Sequence, residues 1–165
     1  MLNTWEERPL ELACLLNPAF LGAILWRAVG GYEVTAVAGM PFEFSPLIFP
    51  LVLHPATREM LPDIRTTLPT WLQDHRELVV QLPDRIRELV PFTRECLIFT
   101  VRRAVLVIDG NGRIRRGPMQ LKGRSRYPSL SDEIGECWRR AEFVGRWLAE
   151  AGPSVTVYGL LGITP

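Results

Sequence analysis

The sequence predicts a mainly α chain: one compact helical domain with a single β-hairpin, in the winged-helix-like order of several helices, a hairpin and a last long helix. Three observations carry this. Apolar residues recur at helical spacing through most of the chain. The one clear change of period comes at Ala104–Ile108, an apolar β-branched run followed by Asp109-Gly110-Asn111-Gly112, two hairpin-turn dipeptides in succession. At 165 residues, 47% of them hydrophobic and 22% charged, the chain suits one domain over 1–165 whose core requires no disulfide or metal.

The elements follow in order. Asn17-Pro18 reads as an N-cap with proline at the first helical position, and Leu21, Ile24, Leu25, Ala28 and Val29 then keep helical spacing until Gly30-Gly31, expected to stop the helix. Glu33–Met40 reads as a connector. Glu43–His54 is a second apolar helix, bent or begun at Pro46 and Pro50, and short helices follow over Pro55–Leu61 and Thr67–His75. Pro83 should open a long segment with Ile86, Leu89 and Val90 on one face. Pro91 should kink or restart it before Leu97, Ile98 and Val101.

Arg113–Arg116 is the return strand of the hairpin, and Gly117–Leu130 a polar, basic loop. Ser131 caps a long helix with Asp132 and Glu133 in its first turn, where the helix dipole favours acids. Its stripe is Ile134, Cys137, Trp138, Ala141, Val144 and Leu148, and Gly152-Pro153 ends it. Ser154 starts a last helix carrying Val157, Leu160 and Leu161, although the V-T-V-Y alternation also suits a strand.

Charge excludes one class of function. Nineteen Lys+Arg against eighteen Asp+Glu leave a net charge of +1, so there is no global attraction to nucleic acid or to an anionic membrane. Cys14, Cys96 and Cys137 are odd in number and widely spaced. Each sits among apolar residues, the pattern of small buried hydrophobes in a reducing cytosol, not of disulfides or zinc ligands. Glu6, Glu7 and Arg8 precede the first apolar run, unlike a signal peptide. Val34–Leu53 is nearly uncharged, but Gly39, Pro41, Pro46 and Pro50 interrupt it, and its cleanest block, Pro46–Leu53, falls far short of the roughly 20 residues of a spanning helix. A buried core helix and a cytoplasmic protein, off the membrane, are expected.

Catalytic chemistry finds no anchor. G-x-S-x-G, the Walker A loop and G-x-G-x-x-G are absent, and neither His54 nor His75 has a neighbour at metal-ligand spacing. His54, beside Pro55, suits hydrogen bonding at a helix end; His75, in a charged stretch, suits solvent. Asp109–Gly112 is similar to the start of a calcium loop but lacks the later acidic ligands. No catalytic residue, cofactor or metal is assigned, and the chain is expected not to be an enzyme.

The most specific feature is a pair. Pro55–Leu61 reads PATREML and Pro91–Leu97 reads PFTRECL, the same P-x-T-R-E-x-L. Each suits a helix start, but a bare helix start has no use for Arg58 or Arg94, whose forked donors can hold a carboxylate or a carbonyl. Both are expected to be structural or interfacial. Phe143 and Trp147, four residues apart on one helix face, form a second apolar face beside the core stripe; either it makes a candidate partner surface with Leu160 and Leu161, or both faces are buried within the domain. Arg113, Arg115, Arg116, Lys122, Arg124 and Arg126 fall within an acid-free stretch and could contact phosphates.

In order along the chain, RPLELACLLNPAFLGAILWRAVGGY, GMPF, LVLHPATREMLP, LVPFTRECLIF, AEFVGRWLAEAG and YGLLGITP resemble the middle component of three-component ABC-ATPase systems. The small middle subunits of Lamassu-type bacterial defence operons are a related case. The resemblance covers nearly the whole chain, and its L-N-P-A-F, H-x-P-T-R-E-like and F-V-G-R-W elements together are fairly specific. It departs at His54, followed directly by Pro55 where relatives are expected to carry one more residue, and at the basic 113–126 stretch, which has no counterpart.

The resemblance implies a non-enzymatic adaptor between an SMC- or Rad50-like ABC ATPase subunit and an effector subunit, often a nuclease, in an anti-phage or anti-plasmid defence complex. Such a bridge holds the effector inactive until the ATPase senses foreign or abnormal DNA ends, and any contact with DNA comes through the complex. The alternative is a stand-alone winged-helix nucleic-acid-binding protein that uses the hairpin and loop over 113–126.

Overall fold

A computed structural model describes residues 7–121 and 132–163. Its elements are α1 (Leu10–Leu15), α2 (Pro18–Thr35), β1 (Met40–Pro41), a 3-10 turn at Phe42–Phe44, α3 (Ser45–Leu53), α4 (Pro55–Met60), α5 (Leu68–Asp74), α6 (Arg76–Arg102), β2 (Leu106–Ile108), β3 (Arg113–Arg116), α7 (Asp132–Glu150) and α8 (Ser154–Leu160). Mainly α with a β-hairpin is the architecture observed.

Helix α2 is the centre. The Asn17 side chain accepts the Ala19 N–H at 2.8 Å and Pro18 occupies the first turn, so the start is the capped one its sequence suggests. Leu21, Ile24, Leu25, Ala28 and Val29 are all fully buried. A helix buried like this through its middle belongs inside its domain. α7 packs along it most extensively, with α6, α3 and β3 on its other sides. By length and composition alone Leu10–Thr35 could cross a membrane, but here the chain turns at Leu16-Asn17 and α2 is the covered core helix. Val34–Leu53 likewise resolves into β1, the 3-10 turn and the buried α3.

The helix does not stop at Gly30-Gly31; it runs on to Thr35. These glycines serve packing, not termination. A Cβ on Gly31 would lie 2.0 Å from the Glu142 carbonyl oxygen on α7, and a Cβ on Gly145 of α7 would lie 1.8 Å from the Ala28 carbonyl oxygen on α2. Each helix thus offers a glycine where the other backbone crosses. A glycine within a helix costs about 1 kcal/mol relative to alanine, which the close contact of two backbones offsets through dispersion.

Helix α6 departs further from its sequence reading. It is continuous over 27 residues, begins at Arg76 instead of Pro83, and is not restarted at Pro91. Proline removes one backbone donor, but the stripe of Leu78, Leu82, Ile86, Cys96 and Leu97 stays buried on one face across both prolines, and that packing outweighs the local break. Thr93 and Thr100 turn their hydroxyls back to donate to the carbonyls of Leu89 and Cys96, at 2.9 and 2.8 Å. At the far end, Val105 N–H bonds Thr100 O and Ala104 N–H bonds Val101 O, with Ala104 at φ +56°. This is a Schellman end with alanine where glycine is usual, and it feeds the chain directly into β2.

The hairpin is held on both sides. β3 is central in a three-stranded antiparallel sheet of order β1-β3-β2, with Ile114 opposite both Met40 and Ile108. Met40, Leu106 and Ile114 are fully buried. The turn is single: Gly112 N–H bonds Asp109 O, Gly112 sits at φ +70°, and the Asp109 carboxylate accepts the N–H groups of Asn111 and Arg113 at 2.8 and 3.0 Å. Those two hydrogen bonds hold the Asp109 carboxyl below the usual carboxylate range.

Ser131, the expected cap of α7, lies outside the described residues. α8 is a helix, not a strand, and its Tyr158 hydroxyl donates to Glu43 O at 2.5 Å. Burial pushes that phenol up to about 12. Helix α1 had no counterpart in the sequence reading, and Cys14 on it is exposed, which corrects the expectation of three buried cysteines; Cys96 and Cys137 are buried.

The glycine crossing is directly testable. Gly145→Ala drives a methyl group into backbone, so it is expected to cost about 3 kcal/mol or more in chemical denaturation. Gly110→Ala, with nothing within 4 Å of the added Cβ, should stay within about 0.5 kcal/mol of wild type. Equal effects from the two substitutions would contradict the crossing.

Candidate functional site

The site grows from one arginine. His54 ends α3 and caps α4: its Nδ1 accepts the Thr57 N–H at 3.3 Å, which assigns the proton of the neutral ring to Nε2. Pro55 starts the helix, and Arg58, one turn in, reaches back across the joint. Its Nη1 donates to Val52 O at 2.9 Å, to Leu53 O at 3.3 Å and to Cys137 Sγ at 3.2 Å, and its Nη2 donates to Glu133 Oε1 at 3.1 Å. The last carbonyls of a helix have no intrahelical donors and carry the negative end of its dipole. A forked cation meets both needs. Arg58 is buried while the Glu133 side chain is 65% exposed, so the carbonyl bonds matter more than the wet ion pair.

A second arginine stands beside it. Arg85 of α6 donates from Nη1 to Thr57 Oγ1 at 3.0 Å and from Nη2 to Gln81 Oε1 at 2.5 Å. Burial first, then the Arg85 and Arg58 cations, lower the pKa of His54 from its ordinary value.

Next to this cluster lies an open groove of about 830 Å³, between α1, the start of α2, the joint of α3 and α4, the middle of α6 and the first turns of α7. Leu12, Leu15, Phe20, Phe49, Leu53 and Ile134 make it predominantly apolar, and its charged and titratable groups are His54, Arg58, Arg85, Glu88 and Glu133, with Cys14 and Cys137. The volume lies in the range of ligand and recognition pockets. Sequence reasoning identified His54 and Arg58. It missed Arg85 and the leucines of α1, whose only signal was an apolar cluster just before the Asn17-Pro18 cap.

The other predicted site residues are placed elsewhere. Arg94 is exposed on α6, so the two T-R-E copies are not equivalent. In the second copy Glu95 makes the tie, accepting both Nη groups of the half-buried Arg8 at 2.8 and 2.9 Å. The reason is register: the first copy opens a helix against a joint, the second lies within one.

Trp147 is a core residue, not an open partner anchor. It is 2% exposed, edge-on to Trp71 with centroids 5.3 Å apart, and its Nε1 donates to Thr66 O at 2.7 Å. The 61–67 connector and α5 cover the second face of α7. Phe143 stacks on Trp147 at 5.8 Å and is half-buried. Leu161 is buried, and Leu160 is 38% exposed.

Of the basic stretch, Arg116 donates to Glu33 at 2.8 Å and lies 5.2 Å over the Trp26 ring, Arg115 is 3.9 Å from Asp109, and Arg113 donates to Gly39 O at 3.4 Å. Lys122, Arg124 and Arg126 lie outside the described residues. Among the described residues no group of three or more His, Cys, Asp and Glu side chains could hold a metal ion.

The sequence model of the family described as ABC-three component (ABC-3C) system Middle Component 3 matches residues 5–165. No curated protein and no solved structure matches.

Two expectations follow from the geometry. Arg58→Ala leaves the α3 carbonyls without their donor and should cost about 2–3 kcal/mol, while Arg94→Ala should leave the melting temperature nearly unchanged; similar losses from both would refute the distinction. His54 adds a pH dependence. Its folded pKa is lowered, so the unfolded chain binds a proton more readily, and the stability it contributes is present above about 6.5 and lost as the pH falls toward the folded value. His54→Asn keeps a good N-cap without a titrating ring, and its melting temperature should fall less than that of wild type between pH 7 and pH 5.

Proposed function

The chain belongs to the middle component 3 family of ABC-three component systems, and on that premise we propose that it is a non-enzymatic adaptor, linking an SMC- or Rad50-like ABC ATPase to a nuclease effector in a cytoplasmic, Lamassu-type defence complex. The groove carries this reading on the structural side. A monomeric domain rarely leaves so large an apolar concavity open unless something covers it, and a subunit placed between two others must offer such surface.

The internal chemistry of the chain supports the same role. Arg58 holds the end of α3, Thr93 and Thr100 hold α6, and the Trp71 and Trp147 indoles donate to the carbonyls of Met60, at the end of α4, and of Thr66, in the connector after it. These polar groups lock helices in place, and a rigid scaffold can transmit a change in one partner to the other. The alternative, direct nucleic-acid binding through 113–126, is weakened because Arg116 is paired with Glu33 and stacked on Trp26.

The test is reconstitution. Expressed with the ATPase and effector encoded beside it, the tagged chain should co-elute with both on size exclusion at physiological salt, and alone it should bind duplex DNA without the slope of about −0.9 per neutralised phosphate in log affinity against log salt. A chain that elutes alone and binds DNA with a steep salt slope is a nucleic-acid-binding protein instead.

A further inference from the structure

We propose that the groove receives an amphipathic helix of one of the partner subunits, one that carries a carboxylate to Arg85 and a basic side chain to Glu88 on either side of an apolar stripe. The inference rests on the adaptor reading for the existence of that partner, and goes beyond it in naming the surface and the chemistry of what binds there. Apolar contacts come first. Leu12 and Leu15 face the groove from α1, Leu15 is 66% exposed, and the neighbouring Leu10 is 79% exposed. Within this chain α1 therefore has little to bury against, yet it borders a concavity whose other walls are Phe20, Phe49 and Ile134. A helix laid between α1 and α6 would cover that surface with side chains three and four residues apart.

Charge supplies orientation. Arg85 and Glu88 lie one turn apart on α6, both line the groove, and neither has an ion-pair partner among the described residues. Among the described residues Arg85 hydrogen-bonds only to neutral oxygens, those of Thr57 and Gln81. Glu133, the other acid of the groove, is already engaged by Arg58. Opposite charges at the rim of an apolar seam set the direction and register of an incoming helix more than its affinity. A helix with the complementary pair fits in one direction only.

The experiment uses the full chain expressed with the ATPase and effector, and reads co-elution, affinity of the purified subunits and melting temperature. Ala19→Glu puts a charge on an exposed groove position in the first turn of α2, where the helix dipole tolerates an acid. Arg85→Glu reverses the rim charge, and Val155→Asp changes an equally open apolar site that does not line the groove.

Ala19→Glu should keep the wild-type melting temperature and weaken binding of one subunit by roughly tenfold or more. Arg85→Glu should weaken the same subunit and remove part of the salt sensitivity of its binding, while Val155→Asp binds as wild type. Should Arg85→Glu also lower the melting temperature, Ala19→Glu decides alone. Wild-type binding by Ala19→Glu overturns the groove proposal while the adaptor reading stands. If the wild-type chain binds neither subunit, the adaptor reading fails and takes the proposal with it. If Ala19→Glu instead converts a dimer of the isolated chain into monomer, a second copy occupies the groove and the proposal is wrong.

Discussion

The contact of two helix backbones at Gly31 and Gly145 is the constraint on which the rest of the structure depends. Side chains of ordinary size would hold α2 and α7 apart, and the carbonyls of Glu142 and Ala28 occupy the space a methyl group would take. At this separation the registers of the two helices are set against each other. α7 then places its first turns, with Glu133 and Cys137, beside Arg58, and its last turns, with Trp147, beside Trp71 and Thr66. Moving α7 outward by the width of one methyl group would stretch both sets of contacts together.

Those contacts differ in kind and reinforce one another. At one end a buried guanidinium satisfies the open carbonyls of α3 and reaches α7. At the other, two tryptophans bury their rings and donate their N–H groups to carbonyls at the end of α4 and in the segment that follows it. Between them, that segment and α7 become one body with the central helix. The groove borders the Arg58 joint itself, between the short α1, the start of α2 and the middle of α6. A joint held by hydrogen bonds beside an uncovered apolar surface suits the proposed adaptor, because a docked partner then acts on a frame that does not simply yield.

Most of the helices and the hairpin were legible in the chain, since they rest on local physics: proline and Asn17 at helix starts, 3.6-residue periodicity, and an Asp-Gly-Asn-Gly turn. His54 at a helix end and Arg58 as a donor to carbonyls or carboxylates were legible for the same reason. The misreadings share one cause. Gly30-Gly31 and Pro91 were read as local breakers, but a breaker costs only a few kcal/mol, and burial across it can exceed that. The repeated T-R-E shows the limit from the other side: identical residues open a helix at Thr57 and sit within one at Thr93, so Arg58 turns inward while Arg94 faces solvent.

By itself, then, the sequence determined the mainly α class, the position of the hairpin, the apolar stripes and the likeness to a middle component. All of these are written in near-neighbour patterns or in whole-chain similarity. Tertiary structure alone decided that the glycines are a crossing, that Trp147 is core, that a third strand pairs with the hairpin, and that the leucines of α1, Arg85 and the joint at Arg58 meet around one groove. Each of these is a contact between residues far apart in the chain. No local pattern encodes such a contact; it exists only once packing has chosen which faces meet.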